Sequence, residues 1–205
     1  MPSHFRIPKA RLDGAYGAIM TRFAVRTWGR VPDNAYVLWH HKPLMRAVLG
    51  FEQKVARWKA LDPHLKTYAE MASAGVIGCS WCLDFGYFMA HTKGLEEAKV
   101  REVPRWRESD VFSDLEREVM AYAEAMTVTP PQVTDAMVAS LDAQLGHAAV
   151  IELTMMVAVE NERSRFNSAM GLASQGFSDV CELPLAQAGP VAGPVGGTIS
   201  GTIST

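Results

Sequence analysis

At 205 residues with 48% hydrophobic content, the chain is long enough to bury a core of its own, and folding at this size hides roughly 70% of the unfolded surface. A formal net charge of −2 gives no electrostatic case for nucleic acid or an anionic membrane as a partner, and three cysteines do not make a disulfide framework. No apolar core of signal-peptide length follows Met1, and the longest apolar run, residues 148–159, is broken by Glu152 and too short to cross a bilayer; the expectation is a cytoplasmic protein in reducing surroundings.

In chain order, residues 1–12 read as an extended lead-in broken by Pro2 and Pro8. Asp13 caps a predicted helix to Trp28, which Gly29-Arg30-Val31-Pro32 ends. A short helix over Ala35–His41 follows, then one from Pro43 to about Ala60 with Leu44, Val48, Phe51 and Val55 at helical spacing. Asp62-Pro63 pairs an N-cap with proline in the first turn and starts a helix to Ile77. The next helix runs from the Cys79–Cys82 turn to Lys93 and stops at Gly94. A short helix covers Leu95–Val100, and Pro104–Asp110 is a connector carrying Trp106. Ser113-Asp114-Leu115-Glu116 is a capping box for a helix to Met126, and Thr134 caps another to Leu145. His147–Met170 is apolar over most of its surface until Asn161 and is expected to be the central, most buried helix. From residue 184 charge disappears from the Gly/Pro-rich chain, and Gly197-Thr198-Ile199-Ser200 recurs as Gly201-Thr202-Ile203-Ser204; residues 184–205 are expected to be a disordered tail. The expectation is an all-α fold of seven to nine helices, forming a single domain over residues 13–183.

Gly78-Cys79-Ser80-Trp81-Cys82 is the stretch that carries chemistry. It places Cys79 at the N-cap or first turn of a helix and Cys82 one turn further on. Residues three apart on a helix have Cβ atoms about 5–6 Å apart, so little movement brings the sulfurs to bonding distance. The helix N-terminus favours a thiolate by about 0.3–2 kcal/mol, and Cys79 sits closer to it than Cys82 does. Two other readings exist: a pair of small core residues, or half of a zinc site. No second CxxC or HxxxH accompanies the pair, and Cys181 is the only other cysteine, so no metal is expected.

Several stretches together, in order over residues 29–171, resemble the alkylhydroperoxidase D (AhpD)-like branch of the carboxymuconolactone decarboxylase superfamily. They are Gly29-Arg30-Val31-Pro32, Val37-Leu38-Trp39-His40-His41-Lys42-Pro43-Leu44, Cys79-Ser80-Trp81-Cys82, Gly94-Leu95 and Leu115-Glu116-Arg117 with Ala123-Glu124-Ala125-Met126. Val133-Thr134-Asp135, Ile151-Glu152-Leu153-Thr154 and Arg165-Phe166-Asn167-Ser168-Ala169-Met170-Gly171 complete the set. The resemblance implies an AhpD-like helical bundle assembled as a trimer or hexamer. It also implies a thiol-dependent oxidoreductase whose Cys79/Cys82 dithiol reduces a small hydroperoxide or exchanges disulfides. The redox-active disulfide would be its only cofactor, and a dithiol protein its reductant. By resemblance Cys82 attacks and Cys79 resolves, whereas proximity to the helix N-terminus makes Cys79 the more acidic; the order stays open here. A lactone decarboxylase and a non-catalytic oligomeric binding protein that has lost its proton relay are the other readings.

The sequence departs from the branch at that relay. The positions of its glutamate and histidine hold Thr67 and Gly86, neither of which titrates near neutral pH. Phe85 and Met89 make the helix around Gly86 apolar, and Gly86 is small enough to leave room beside the sulfurs for a bulkier ligand. Glu70, one turn after Thr67, is the first candidate for a replacement base. His40, His41 and His147 are read as structural, and Glu160-Asn161-Glu162-Arg163 as intrahelical pairs or an oligomer contact without chemistry.

Overall fold

The computed structural model describes residues 2–187. Over these the chain is all-helical, with nine α-helices and no strand. They are α1 (Gly14–Trp28), α2 (Asp33–Leu38), α3 (Lys42–Val55), α4 (Pro63–Ile77), α5 (Ser80–Thr92), α6 (Glu97–Val100), α7 (Asp114–Thr127), α8 (Asp135–Leu145) and α9 (His147–Ala169). Single 3-10 turns at Trp39–His41, Val103–Glu108 and Phe177–Val180 join or follow them. No described helix is long and apolar enough to cross a membrane.

Helices α4 and α7 start on the expected capping chemistry, whereas Asp13 makes no cap bond to α1 and instead accepts the Trp39 indole N–H (3.3 Å). The Asp62 carboxylate accepts from the His64 N–H (2.8 Å) with Pro63 in the first turn, and Ser113 and Glu116 complete a reciprocal capping box. Three further expectations shift. Helix α3 stops at Val55 rather than near Ala60, because Trp58 folds back edge-on to Phe51 and the Ala60 N–H turns to Glu152 (2.7 Å). The connector around Trp106 coils into a 3-10 turn and sends the indole N–H to Glu124 (2.7 Å).

The third correction concerns the centre of the molecule. Helix α4 lies against α5, α7 and α9, and between Tyr68 and Ala74 it buries every residue but Glu70. Helix α9 is more two-sided: it buries Leu153 and Val157 but leaves Ile151 and Met155 exposed. Its apolar stretch is wider than one neighbour can cover, which is why the sequence made it look fully buried. A second, smaller cluster forms where α4 hands over to α5. Cys79, Trp81, Cys82, Val37, Ala74, Leu172 and Phe177 pack together there, with Phe5 laid against them. Residues 3–6 reach this place by pairing with the loop after α9: the His4 N–H donates to the Gly171 carbonyl (2.8 Å) and the Arg6 N–H to that of Met170 (3.2 Å). Beyond residue 183, the Ala186 N–H donates to the Arg101 carbonyl (3.0 Å) and Ala186 is buried; residues 188–205, most of the expected tail, lie outside the described residues.

Candidate functional site

Gly78 makes the site possible locally. Its φ of 76° lies in the left-handed region that glycine enters without penalty, ending α4 and turning the chain straight into α5. Cys79 is then the N-cap of α5, and its Sγ accepts the Cys82 N–H at 3.2 Å, in the place a serine or aspartate oxygen usually takes. Cys79 and Cys82 are joined as a disulfide, their Cα atoms 5.3 Å apart. The pair is not equally covered: Cys79 is 1% exposed and Cys82 is 7%.

Aromatic rings wall the disulfide. Trp81 stacks on Phe85 (centroids 5.0 Å apart), and Phe177 meets Phe85 edge-on at 5.1 Å. The Trp81 indole N–H donates to Gln175 Oε1 (2.9 Å), which also takes the Asp33 N–H (2.7 Å). The loop carrying Gln175 is anchored by Asp84. That buried carboxylate accepts the backbone N–H groups of Gln175 (2.9 Å), Phe177 (3.1 Å) and Ser178 (2.8 Å), and the Ser178 hydroxyl (2.7 Å). Burial alone would raise the pKa of Asp84, but the donors from Ser178 and Phe177 outweigh it and hold the carboxyl below its usual range.

The polar side chain that touches the reactive pair is Asn167 of α9. Its Nδ2 donates to Cys82 Sγ at 3.4 Å, and the residue is buried. One turn earlier on the same helix, Ser164 donates to Glu160 at 2.6 Å, and both are buried as well. Burial pushes the Glu160 carboxyl up to about 8, and Arg163, 3.4 Å away, only partly offsets it because Glu52 (2.8 Å) and Glu70 (2.7 Å) share the same guanidinium.

The sequence-derived candidates separate accordingly. Cys79 and Cys82 come together. Glu70 does not join them: its carboxylate is held by Arg163, and none of its hydrogen bonds runs to the sulfurs. Thr67 is buried, and a Cβ added at Gly86 would sit 3.4 Å from Met71 Cγ, so Met71 occupies the space expected for a ligand. His40 bonds the Pro8 carbonyl (2.8 Å), His41 caps α3 by accepting the Leu44 N–H (3.1 Å), and His147 pairs with Asp142 (2.5 Å) at the start of α9. His91 pairs with Glu97; Cys181 lies near both, and all three ligand atoms fall within 4.8 Å of one another. Burial and then the Glu97 charge push the Cys181 thiol up to about 11. Sequence reasoning missed Asn167 as a neighbour of the sulfurs, and Ser164 and Glu160 as the buried polar residues that precede it on α9. Their spacing was the available signal: positions 160, 164 and 167 are three polar residues that fall on one face of α9.

Comparison with known proteins agrees with this architecture. Residues 42–125 match the model of the carboxymuconolactone decarboxylase family. The uncharacterized protein YnjA of Escherichia coli (strain K12) is 32% identical over 169 residues, covering 82% of this chain and 85% of the relative. Among solved structures, a cysteine-to-alanine variant of the debrominase Bmp8 in complex with 2,3,4-tribromopyrrole aligns with a TM-score of 0.74 at 20% identity, over 86% of this chain and 96% of the other. An Agrobacterium tumefaciens protein, named as a candidate AhpD antioxidant defence protein, aligns with a TM-score of 0.60 at 20% identity, over 65% of this chain and 92% of its own. At these identities the two structures speak to the fold alone.

Proposed function

The chain belongs to the carboxymuconolactone decarboxylase family, and from that premise we propose that it is a thiol-dependent oxidoreductase of AhpD-like type. The observation that carries the reading is the Cys79–Cys82 pair at the start of α5, within bonding distance of each other, with a hydrogen-bond donor from α9 on the second sulfur. Cys82 is the attacking thiol, because it is the more exposed of the two and has Asn167 to hold its sulfur. Its thiolate takes the terminal oxygen of a hydroperoxide, releasing an alkoxide and leaving a sulfenic acid on Cys82. The Cys79 thiol then condenses with that sulfenic acid to give the disulfide and water. A dithiol returns two electrons by thiol–disulfide exchange, so no other cofactor enters the cycle.

The test is a thiol count on the reduced protein before and after one equivalent of cumene hydroperoxide. The expected result is the joint loss of two thiols, with Cys79→Ser stopping at a sulfenic acid and Cys82→Ser unreactive. An unchanged count under excess peroxide rejects the reading.

The aromatic wall of Trp81, Phe85 and Phe177 beside the sulfurs supports a second reading, in which the electron acceptor is a flat halogenated ring, the class bound in the Bmp8 complex. In that case two thiols and an aryl bromide give the aryl–hydrogen product, bromide, a proton and the disulfide. Bromide release from tribromopyrrole, with no loss of peroxide, distinguishes the two.

A further inference from the structure

If Cys82 attacks a peroxide, the departing oxygen needs a proton, and neither Thr67 nor Gly86 can give one. One face of α9 offers a substitute. Glu160, Ser164 and Asn167 follow one another at spacings of four and three residues, so they share a side of the helix over roughly 10 Å. All three are buried, at 5%, 0% and 2% exposure, which is unusual for polar residues unless they are tied to something. At one end of the row Ser164 meets the Glu160 carboxyl at 2.6 Å, and at the other Asn167 meets Cys82 Sγ at 3.4 Å. Arg163 joins Glu160 to Glu70 on α4 and to Glu52 on α3.

We propose that Glu160, acting through the Ser164 hydroxyl, is the proton donor and acceptor that serves Cys82, in place of the relay absent from positions 67 and 86. The proposal rests on the thiol oxidoreductase reading and assigns Glu160 and Ser164 positioning and proton-holding roles, with no contact to the peroxide. Asn167, which meets the sulfur, lies three residues on from Ser164 along the same face of α9, so the row that starts at Glu160 ends at Cys82. The steps balance. The Cys82 thiolate and the hydroperoxide give the sulfenic acid and an alkoxide, and the alkoxide takes the proton of Glu160 to leave as the alcohol. Cys79 thiol and the sulfenic acid then give the disulfide and water. A dithiol reduces the disulfide to two thiols, and as Cys82 ionises again its proton returns to the Glu160 carboxylate. The environment suits this duty. Glu160 shares one guanidinium with Glu52 and Glu70, so three carboxylates face a single positive charge, and burial keeps Glu160 protonated up to about pH 8.

The experiment measures peroxide consumption from about pH 6 to about pH 9.5, with dithiothreitol as reductant, for the full chain and for Glu160→Gln and Ser164→Ala. Iodoacetamide alkylation of the reduced proteins, which needs no donated proton, runs in parallel. The expected wild-type profile rises as Cys82 ionises and falls again above about pH 8 as Glu160 loses its proton. Both variants lose the falling limb and react about ten- to a hundredfold more slowly near neutral pH, while their alkylation rates change less than about threefold. Wild-type rates and an intact falling limb in both variants overturn the proposal and leave the thiol reading standing. Should Glu160→Gln fail to fold, Ser164→Ala decides by the same criterion. A wild-type protein that alkylates normally but consumes no peroxide removes the function reading, and this inference with it.

Discussion

Asp84 illustrates how a single side chain can be local in sequence and global in effect. It sits on the CxxC helix, yet every donor it satisfies belongs to residues 175–178, roughly ninety positions later in the chain. Replacing it with Asn leaves buried N–H groups with a poorer acceptor, and we expect Asp84→Asn to lose about 2–4 kcal/mol, read as a lower urea midpoint. The pH sign follows from its lowered folded-state pKa. Asp84 binds its proton more weakly when folded, so its contribution is complete above the unfolded value of about 3.9 and drains away as pH falls below it. The midpoint gap between wild type and Asp84→Asn should therefore be wide at neutral pH and close on acidification. The partners of Asp84 were unreadable in the sequence because they arrive from a distant loop. Glu160 was hidden for a related reason: next to Asn161, Glu162 and Arg163 it reads as part of an intrahelical or oligomer-contact cluster, and only burial on α9 pushes its carboxyl up.

At the scale of helices and turns, most of the architecture was legible because it is written in short-range chemistry. Asp62-Pro63, the Ser113/Glu116 box and Gly78 each act within a turn of their own position, and each begins or ends the helix it was expected to. What failed needed a partner. The end of α3 depends on Glu152 accepting the Ala60 N–H, and the filled space at Gly86 depends on Met71 of α4. Gly171, closing α9, is the turn most exposed to substitution. Its φ is 74°, and an added Cβ would run into the His4 carbonyl. Gly171→Ala is expected to cost at least about 2 kcal/mol through left-handed strain and that collision together. Limited proteolysis should then cut within the first ten residues before global unfolding, whereas cleavage confined to the unfolded chain would speak against the pairing of residues 3–6 with this turn.

On the whole molecule, α9 and α1 are two of the places where apolar surface is left over. Helix α9 presents Ile151, 65% exposed, and Met155 beside a groove shared with Trp58 and Ala148, and α1 presents Ile19 and Phe23. Surface of this kind on a protein expected to assemble predicts a sedimentation mass that is a multiple of the 22.5 kDa chain, and a smaller species for Ile151→Asp. A wild-type monomer would remove that expectation. Which side of α9 this surface falls on was not readable in the sequence, since that depends on where α4 and α7 lie. One arrangement also has a temporal side. Phe5 rests against the cysteine cluster only because residues 3–6 bind residues 170–171, a closure joining points more than 160 residues apart. Contacts of such long span carry a larger entropic toll and come late in folding. During synthesis, then, the two sulfurs stand open to the surrounding medium until α9 has emerged.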